Sequence, residues 1–219
     1  MNTFIDFIMG PMVWISVGIF LGGLIFKIVR IIRDVQEKEP YILSYITLFH
    51  SLRSMAAWLV PYLPRSARMQ PVYYGFSYLF HLLIFLVPLF LASHGVLLDE
   101  AFLTHWPVLS DPVSDTLTLF IIALLAFFAL RRAFKTEVRF VTDPVDYLLL
   151  ALVALPFVTG FLAYHQVFAY QWMTIAHVLS GELLLIIIPF SRFSHMVAAP
   201  LTRAYTGSEF GYVRHARDW

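Results

Sequence analysis

The chain has 219 residues, 60% of them hydrophobic and 13% charged, with a mean hydropathy of +0.77 and a formal net charge of +1. Soluble domains carry about a quarter charged residues, so the composition excludes an ordinary water-soluble domain and points to lipid. The absence of cysteine excludes disulfides, cysteine-ligated iron–sulfur clusters and thiolate zinc sites within the chain, and nothing in the charge pattern points to nucleic acid.

A bilayer core of roughly 30 Å needs about 20 apolar helical residues. Five stretches meet that length, at about 11–32, 73–95, 115–133, 144–165 and 173–196. They lack the alternation of barrel strands, so the expected fold is an all-α integral membrane domain, 1–219, built as a five-span helical bundle. The opening MNTFIDFIMGPMVW carries Asp6 in place of a basic n-region, which predicts that span 1 is kept rather than cleaved as a signal peptide. The stretch 41–60 is apolar, but crossing there would bury His50 and Arg53 at mid-membrane. It is predicted to be a cytoplasmic interfacial helix between spans 1 and 2. Pro88 predicts a kink in span 2. At the start of span 4, TDPVD offers Asp143 as a cap and Pro144 for the first turn.

The basic residues set the expected orientation. Lys27, Arg30, Arg33, Lys38, Arg53, Arg65 and Arg68 follow span 1, and Arg131, Arg132, Lys135 and Arg139 follow span 3. Arg192, Arg203, Arg214 and Arg217 close or follow span 5, which completes the 15 Lys and Arg. All fall on one side, so the N-terminus is expected outside and the C-terminus in the cytoplasm of a prokaryotic inner membrane.

Ionisable residues inside spans are costly and face a bundle interior or cavity. His81 and His94 fall in predicted span 2, His177 and His195 in span 5. The two spans run in opposite directions. One histidine pair is therefore expected near each leaflet, His94 with His177 outside and His81 with His195 inside. Facing imidazoles are what an axially ligated haem iron requires. Eighteen residues make five turns, about 27 Å, so His177 and His195 would share a face; His81 and His94 would differ by roughly 220° on a straight helix. Gly181, one turn past His177, would let a flat macrocycle lie close. Spacing alone leaves open two b-type haems, scattered structural histidines, or a zinc or non-haem metal site. His50, His105, His165 and His215 are expected to be surface or hydrogen-bonded histidines.

The motifs YLFH at 78–81, PFSRFSH at 189–195 closing an H–x17–H span, LRRAF at 130–134, Asp146 entering span 4 and Gly160 near its outer end make the chain resemble the gamma subunit of respiratory nitrate reductase. That family of five-span dihaem cytochromes b includes membrane subunits of sulfate-reducer redox complexes. The resemblance covers nearly all of 75–197. It implies an electron-transfer subunit of an anaerobic respiratory oxidoreductase complex, with two haem b and quinone or menaquinone as substrate. His81 and His195 match the inner ligands, and His94 and His177 the outer. Implied partners are membrane lipid, a cytoplasmic iron–sulfur subunit of heterodisulfide-reductase type, and a periplasmic multihaem cytochrome c. The acidic outer loop 96–114, with Asp99, Glu100, Asp111 and nearby Asp115, would dock that cytochrome. The chain departs from the family in three places. The His81–His94 spacing is three residues longer, no lysine stands in SDPVSDTL at 110–117 where the family places one near a quinone, and Glu182 replaces an apolar residue.

Glu182 would cost on the order of 3 kcal/mol or more to bury ionised; it is either a hydrogen-bonded neutral carboxyl or a proton relay for quinol oxidation. Arg192 and the 131–139 cluster could pair with haem propionates or serve as topological anchors. The competing function is a non-redox membrane anchor or small transporter, against which the spans show no array of paired charges. HExxH and comparable metal-hydrolase patterns are absent.

Overall fold

A computed structural model describes residues 2–219, and helix is the only regular structure among them. In chain order the helices are α1 (Asn2–Met9), α2 (Pro11–Lys38), α3 (Ile42–Tyr45), α4 (Leu48–Leu59), α5 (Arg65–Met69), α6 (Pro71–Phe90), α7 (Ala92–Phe102), α8 (Asp111–Phe134), α9 (Thr136–Arg139), α10 (Pro144–Tyr164), α11 (Tyr170–Ile187) and α12 (His195–Ser208). Two 3-10 turns, Ile188–Phe190 and Arg192–Ser194, separate the last two, and a π turn, Glu209–Val213, follows. Five helices are long and apolar enough to cross a membrane: Thr3–Lys38, Pro71–Phe90, Asp111–Phe134, Pro144–Tyr164 and Tyr170–Phe190. The protein is an all-α, multi-pass membrane protein. Large apolar side chains such as Trp14, Ile25, Phe26, Leu82 and Leu148 are exposed along these helices, as lipid as solvent demands.

Two expectations about helix continuity are corrected. Span 2 does not run to 95. It ends at Phe90, and Leu91 is extended (φ −68°, ψ 135°) before α7 begins, so His94 lies on α7. Pro88 lacks the N–H that the last turn would use, and the carbonyls of that turn find other donors. Span 5 does not run to 196 either. Pro189 withdraws another N–H, Ser191 is extended and caps the next turn by accepting the Phe193 N–H at 3.2 Å, and His195 opens α12. The same-face relation between His177 and His195 therefore does not hold. The 41–60 stretch forms α3 and α4, and neither is long enough to span.

The chain divides into two compact units, Met1–Gly75 with Glu182–Trp219, and Phe76–Gly181. In the first, α4 packs on α12 through small residues. Ser51, Ser54 and Ala57 are buried on α4, and Gly207 and Ser208 on α12. The Ser51 hydroxyl donates to the Ala204 carbonyl at 3.1 Å, and the Thr47 N–H donates to Ser208 at 3.1 Å. Ser54 donates to Asp218 at 2.6 Å; Arg203 sits 3.6 Å from the same carboxylate and 4.4 Å over the Trp58 ring. A hydrogen bond with Tyr45 and the nearby Glu209 carboxylate push the Tyr205 phenol above its ordinary range. On α2, Gly23 lets the Pro189 ring approach to where a Cβ would lie 2.6 Å away.

In the second unit, α8 and α10 are joined at both ends. Arg132 lies 3.5 Å from buried Asp146, whose carboxylate also accepts the Asp143 N–H at 2.9 Å and so adds a capping box to the expected Asp143 cap. At the opposite end His165 lies 3.1 Å from Asp115. Between them Thr118, Ile121, Leu124 and Leu125 are buried on α8, and Leu149 and Val153 on α10. Phe76 and Phe80 of α6 meet Phe127 and Phe128 edge to face at 4.8 and 5.5 Å.

A side chain at Gly207 would collide with Ser54 and with the His50 carbonyl, whereas one at Gly22 meets nothing within 4 Å. Gly207→Val should therefore destabilise the protein by about 1–3 kcal/mol and Gly22→Ala should not, as read from thermal unfolding in detergent.

Candidate functional site

The end of α6 builds the site. The last turn of a helix leaves carbonyls without intrahelical partners, and in lipid each needs a donor. Here three consecutive carbonyls are satisfied from outside the helix. His94 Nδ1 bonds the Pro88 oxygen at 2.8 Å, Trp106 Nε1 the Leu89 oxygen at 2.6 Å, and the Leu109 N–H the Phe90 oxygen at 2.7 Å. The segment 103–110 is folded back to do this. Leu103 turns it in the left-handed region (φ 53°), the Asp99 carboxylate accepts the Trp106 N–H at 2.5 Å, and the Trp106 and Phe90 rings stack at 6.2 Å.

His177, on α11, takes its carbonyl from α10. Its Nδ1 bonds the Pro156 oxygen at 2.8 Å, and Gly160 makes that approach possible, since a Cβ there would stand 2.8 Å from Nδ1. One turn further along α11, the Ser180 hydroxyl donates to the His177 carbonyl at 2.9 Å. A Cβ on Gly181 would meet nothing within 4 Å.

The structure brings these two histidines together. The ring centres of His94 and His177 lie 5.9 Å apart with their planes 25° from parallel. A nitrogen bonding a carbonyl must carry the proton, so in each neutral imidazole Nδ1 is the donor and Nε2 carries the lone pair. This is the outer-shell pattern of ligating histidine, whose second nitrogen donates to a carbonyl or carboxylate. Two imidazoles trans on one metal, each nitrogen about 2 Å from it and each ring centre roughly 1 Å further back, stand about 6 Å apart. The separation of the His94 and His177 ring centres is of that size. Among the described residues, no group of three or more His, Cys, Asp or Glu could hold a metal ion. A group bound between the two imidazoles would have to bring its other donors with it, as a porphyrin does.

His81 and His195 belong to different units. Each has the same local pattern: His81 Nδ1 bonds the Ser77 carbonyl on α6 at 2.7 Å, and His195 Nδ1 the Arg192 carbonyl at 3.0 Å. Arg192 thus contributes its backbone to His195. Glu182 on α11 is 3% exposed, and neither carboxylate oxygen has a hydrogen-bond partner. The other histidines whose contacts are resolved behave as expected: His50 meets Thr47 at 2.7 Å, and His165 pairs with Asp115.

Three of the four carboxylates expected to dock a cytochrome are held by the chain itself. Asp99 holds Trp106, Asp115 holds His165, and Asp111 is hydrogen-bonded to Tyr164. Sequence reasoning missed the carbonyl partners of the histidines, although Pro88 six residues before His94 was a signal.

No family model matches the chain, and no solved structure matches it. A curated relative from Nitratidesulfovibrio vulgaris (strain Hildenborough), whose name is simply Protein, is 40% identical over 214 residues, spanning 95% of this chain and 94% of the relative. The chain belongs to the family of that protein. The likeness runs along almost the whole length of both chains.

Trp106→Ala removes one hydrogen bond and a ring stack. With about 1.4 kcal/mol lost, segment 103–110 should open about tenfold more often. Limited proteolysis of that segment should accelerate accordingly.

Proposed function

We propose that the protein is a dihaem b-type cytochrome subunit of a membrane redox complex. It passes electrons between a quinone pool and partner subunits. The observation that carries this is the His94–His177 pair: near-parallel rings 5.9 Å apart, each with Nδ1 tied to a backbone carbonyl. His94 and His177 would hold the outer haem. His81 and His195 are assigned to the inner one on the resemblance of YLFH and PFSRFSH, supported by their Nδ1–carbonyl bonds. Bound there, haem b supplies a one-electron couple. The chain's own part is to fix the ring orientation and tautomer of each ligand and to exclude water from it.

The one-sided distribution of basic residues supports a topology with the N-terminus outside and the C-terminus in the cytoplasm of a prokaryotic inner membrane. A cytoplasmic iron–sulfur subunit would then meet the side carrying Arg53, Arg203 and Arg217. A periplasmic multihaem cytochrome c remains a partner on the resemblance, with Glu100 as the outer-loop carboxylate not already engaged within the chain.

Purified protein should show reduced-minus-oxidised b-type bands at two haems per chain by pyridine haemochrome. His94→Ala and His177→Ala should each lose the same single haem, and His81→Ala and His195→Ala the other. A colourless, folded protein would favour the non-redox anchor or transporter. Gly160→Ala should push the His177 ring off the Pro156 carbonyl, and a lost second-shell bond typically weakens ligation 10–100-fold. The check is outer-haem occupancy during dilution.

A further inference from the structure

We propose that the elbow joining α4 to α5 binds an anionic phospholipid, with Arg65 and Arg68 on its phosphate and the outer face of α4 beside its acyl chains. α4 is inside out for a helix in water. Its small residues Ser51, Ser54 and Ala57 are the buried ones, while Leu48, Phe49, Leu52, Ala56 and Leu59 are exposed. Those five fall within about 100° of the helix circumference, and none of them is charged. Twelve residues make a helix about 18 Å long, too short to cross a bilayer. Lipid is already the solvent of this unit, because its membrane-length helix α2 exposes Ile25, Phe26 and Val29. The apolar face of α4 continues that surface at the level where headgroups meet acyl chains.

Beyond α4 the chain turns on Tyr62, which takes the left-handed region (φ 63°) and donates its hydroxyl to the Pro71 carbonyl at 3.4 Å. A Cβ on Gly75 would collide with that hydroxyl, so the glycine makes room for the turn. Pro64 and Ala67 are buried, and α5 presents Arg65, Arg68 and Met69 outward. Arginines at i and i+3 share one side of a helical turn. Other cations of the unit are spent within it: Lys38 on Asp34 at 3.4 Å, Arg203 on Asp218 at 3.6 Å, Arg214 on Glu209 and Arg53 over the Phe49 and Trp219 rings. Arg65 and Arg68 have no ion pair or ring contact among the described residues. Two guanidinium groups with no carboxylate beside them suit the forked hydrogen bonds of a phosphate. They also repel the ammonium of a zwitterionic headgroup, so the net-negative lipid is favoured.

The test is native mass spectrometry of the full chain in mild detergent, titrated with phosphatidylglycerol or with phosphatidylcholine of the same acyl chains. The wild type should retain phosphatidylglycerol preferentially. Arg65→Gln with Arg68→Gln should weaken that binding about thirtyfold, and Arg214→Gln with Arg217→Gln, an equal loss of charge, should leave it within about twofold. Because the chain has no cysteine, a spin label on Leu52→Cys in phosphatidylglycerol nanodiscs reads the apolar face directly, and oxygen should relax it more than a water-soluble nickel chelate. Equal retention of the two lipids, a double arginine variant that binds as the wild type does, or displacement by inorganic phosphate at the lipid's concentration overturns the proposal. So does a label relaxed mainly by nickel, which puts the face in water, or one shielded from both, which puts a protein there.

Discussion

A carbonyl released in lipid must find a donor, and this obligation shapes the candidate site. Where α6 stops, the oxygens of Pro88, Leu89 and Phe90 are each bonded by a group from further along the chain: an imidazole, an indole and a backbone amide. Satisfying the helix end and aiming His94 are one event. The same logic recurs at Pro156, where a glycine opens the helix surface enough for His177 to reach the backbone. Each neutral imidazole is left with one defined tautomer, its proton on Nδ1 and its lone pair on Nε2.

The five membrane-length helices were legible in the sequence because hydrophobic length is a one-dimensional property. The Asp143–Pro144 start of α10 was equally plain, since cap and first turn are set by adjacent residues. Helix ends inside apolar runs were not. Neither LVPLFLASHG nor IIIPFSRFSH announces that its helix stops, because hydropathy is unchanged across the break and only the missing N–H of proline marks it. Helical-wheel geometry drawn through Pro88 and Pro189 therefore misplaced His94 and His195, which lie on α7 and α12.

Charge told a similar story. Carboxylates at 96–115 read as an acidic face from sequence, yet Asp99, Asp111 and Asp115 are spent on the fold, holding Trp106, Tyr164 and His165. Composition cannot distinguish a solvated carboxylate from one that ties a loop to a helix. Conversely, Glu182 reads as a lone oddity in sequence and remains one in space, buried with both oxygens unpartnered.

The interruption at Leu91 also bears on how such a protein can vary. On an unbroken rod, adding three residues between two side chains turns the second by about 60° net and carries it about 4.5 Å along the axis. With a swivel between them, the chain can gain or lose residues after Pro88 while His94 is still drawn back to the first carbonyl the rod leaves open. Sequence length in this stretch is thereby uncoupled from the placement of His94.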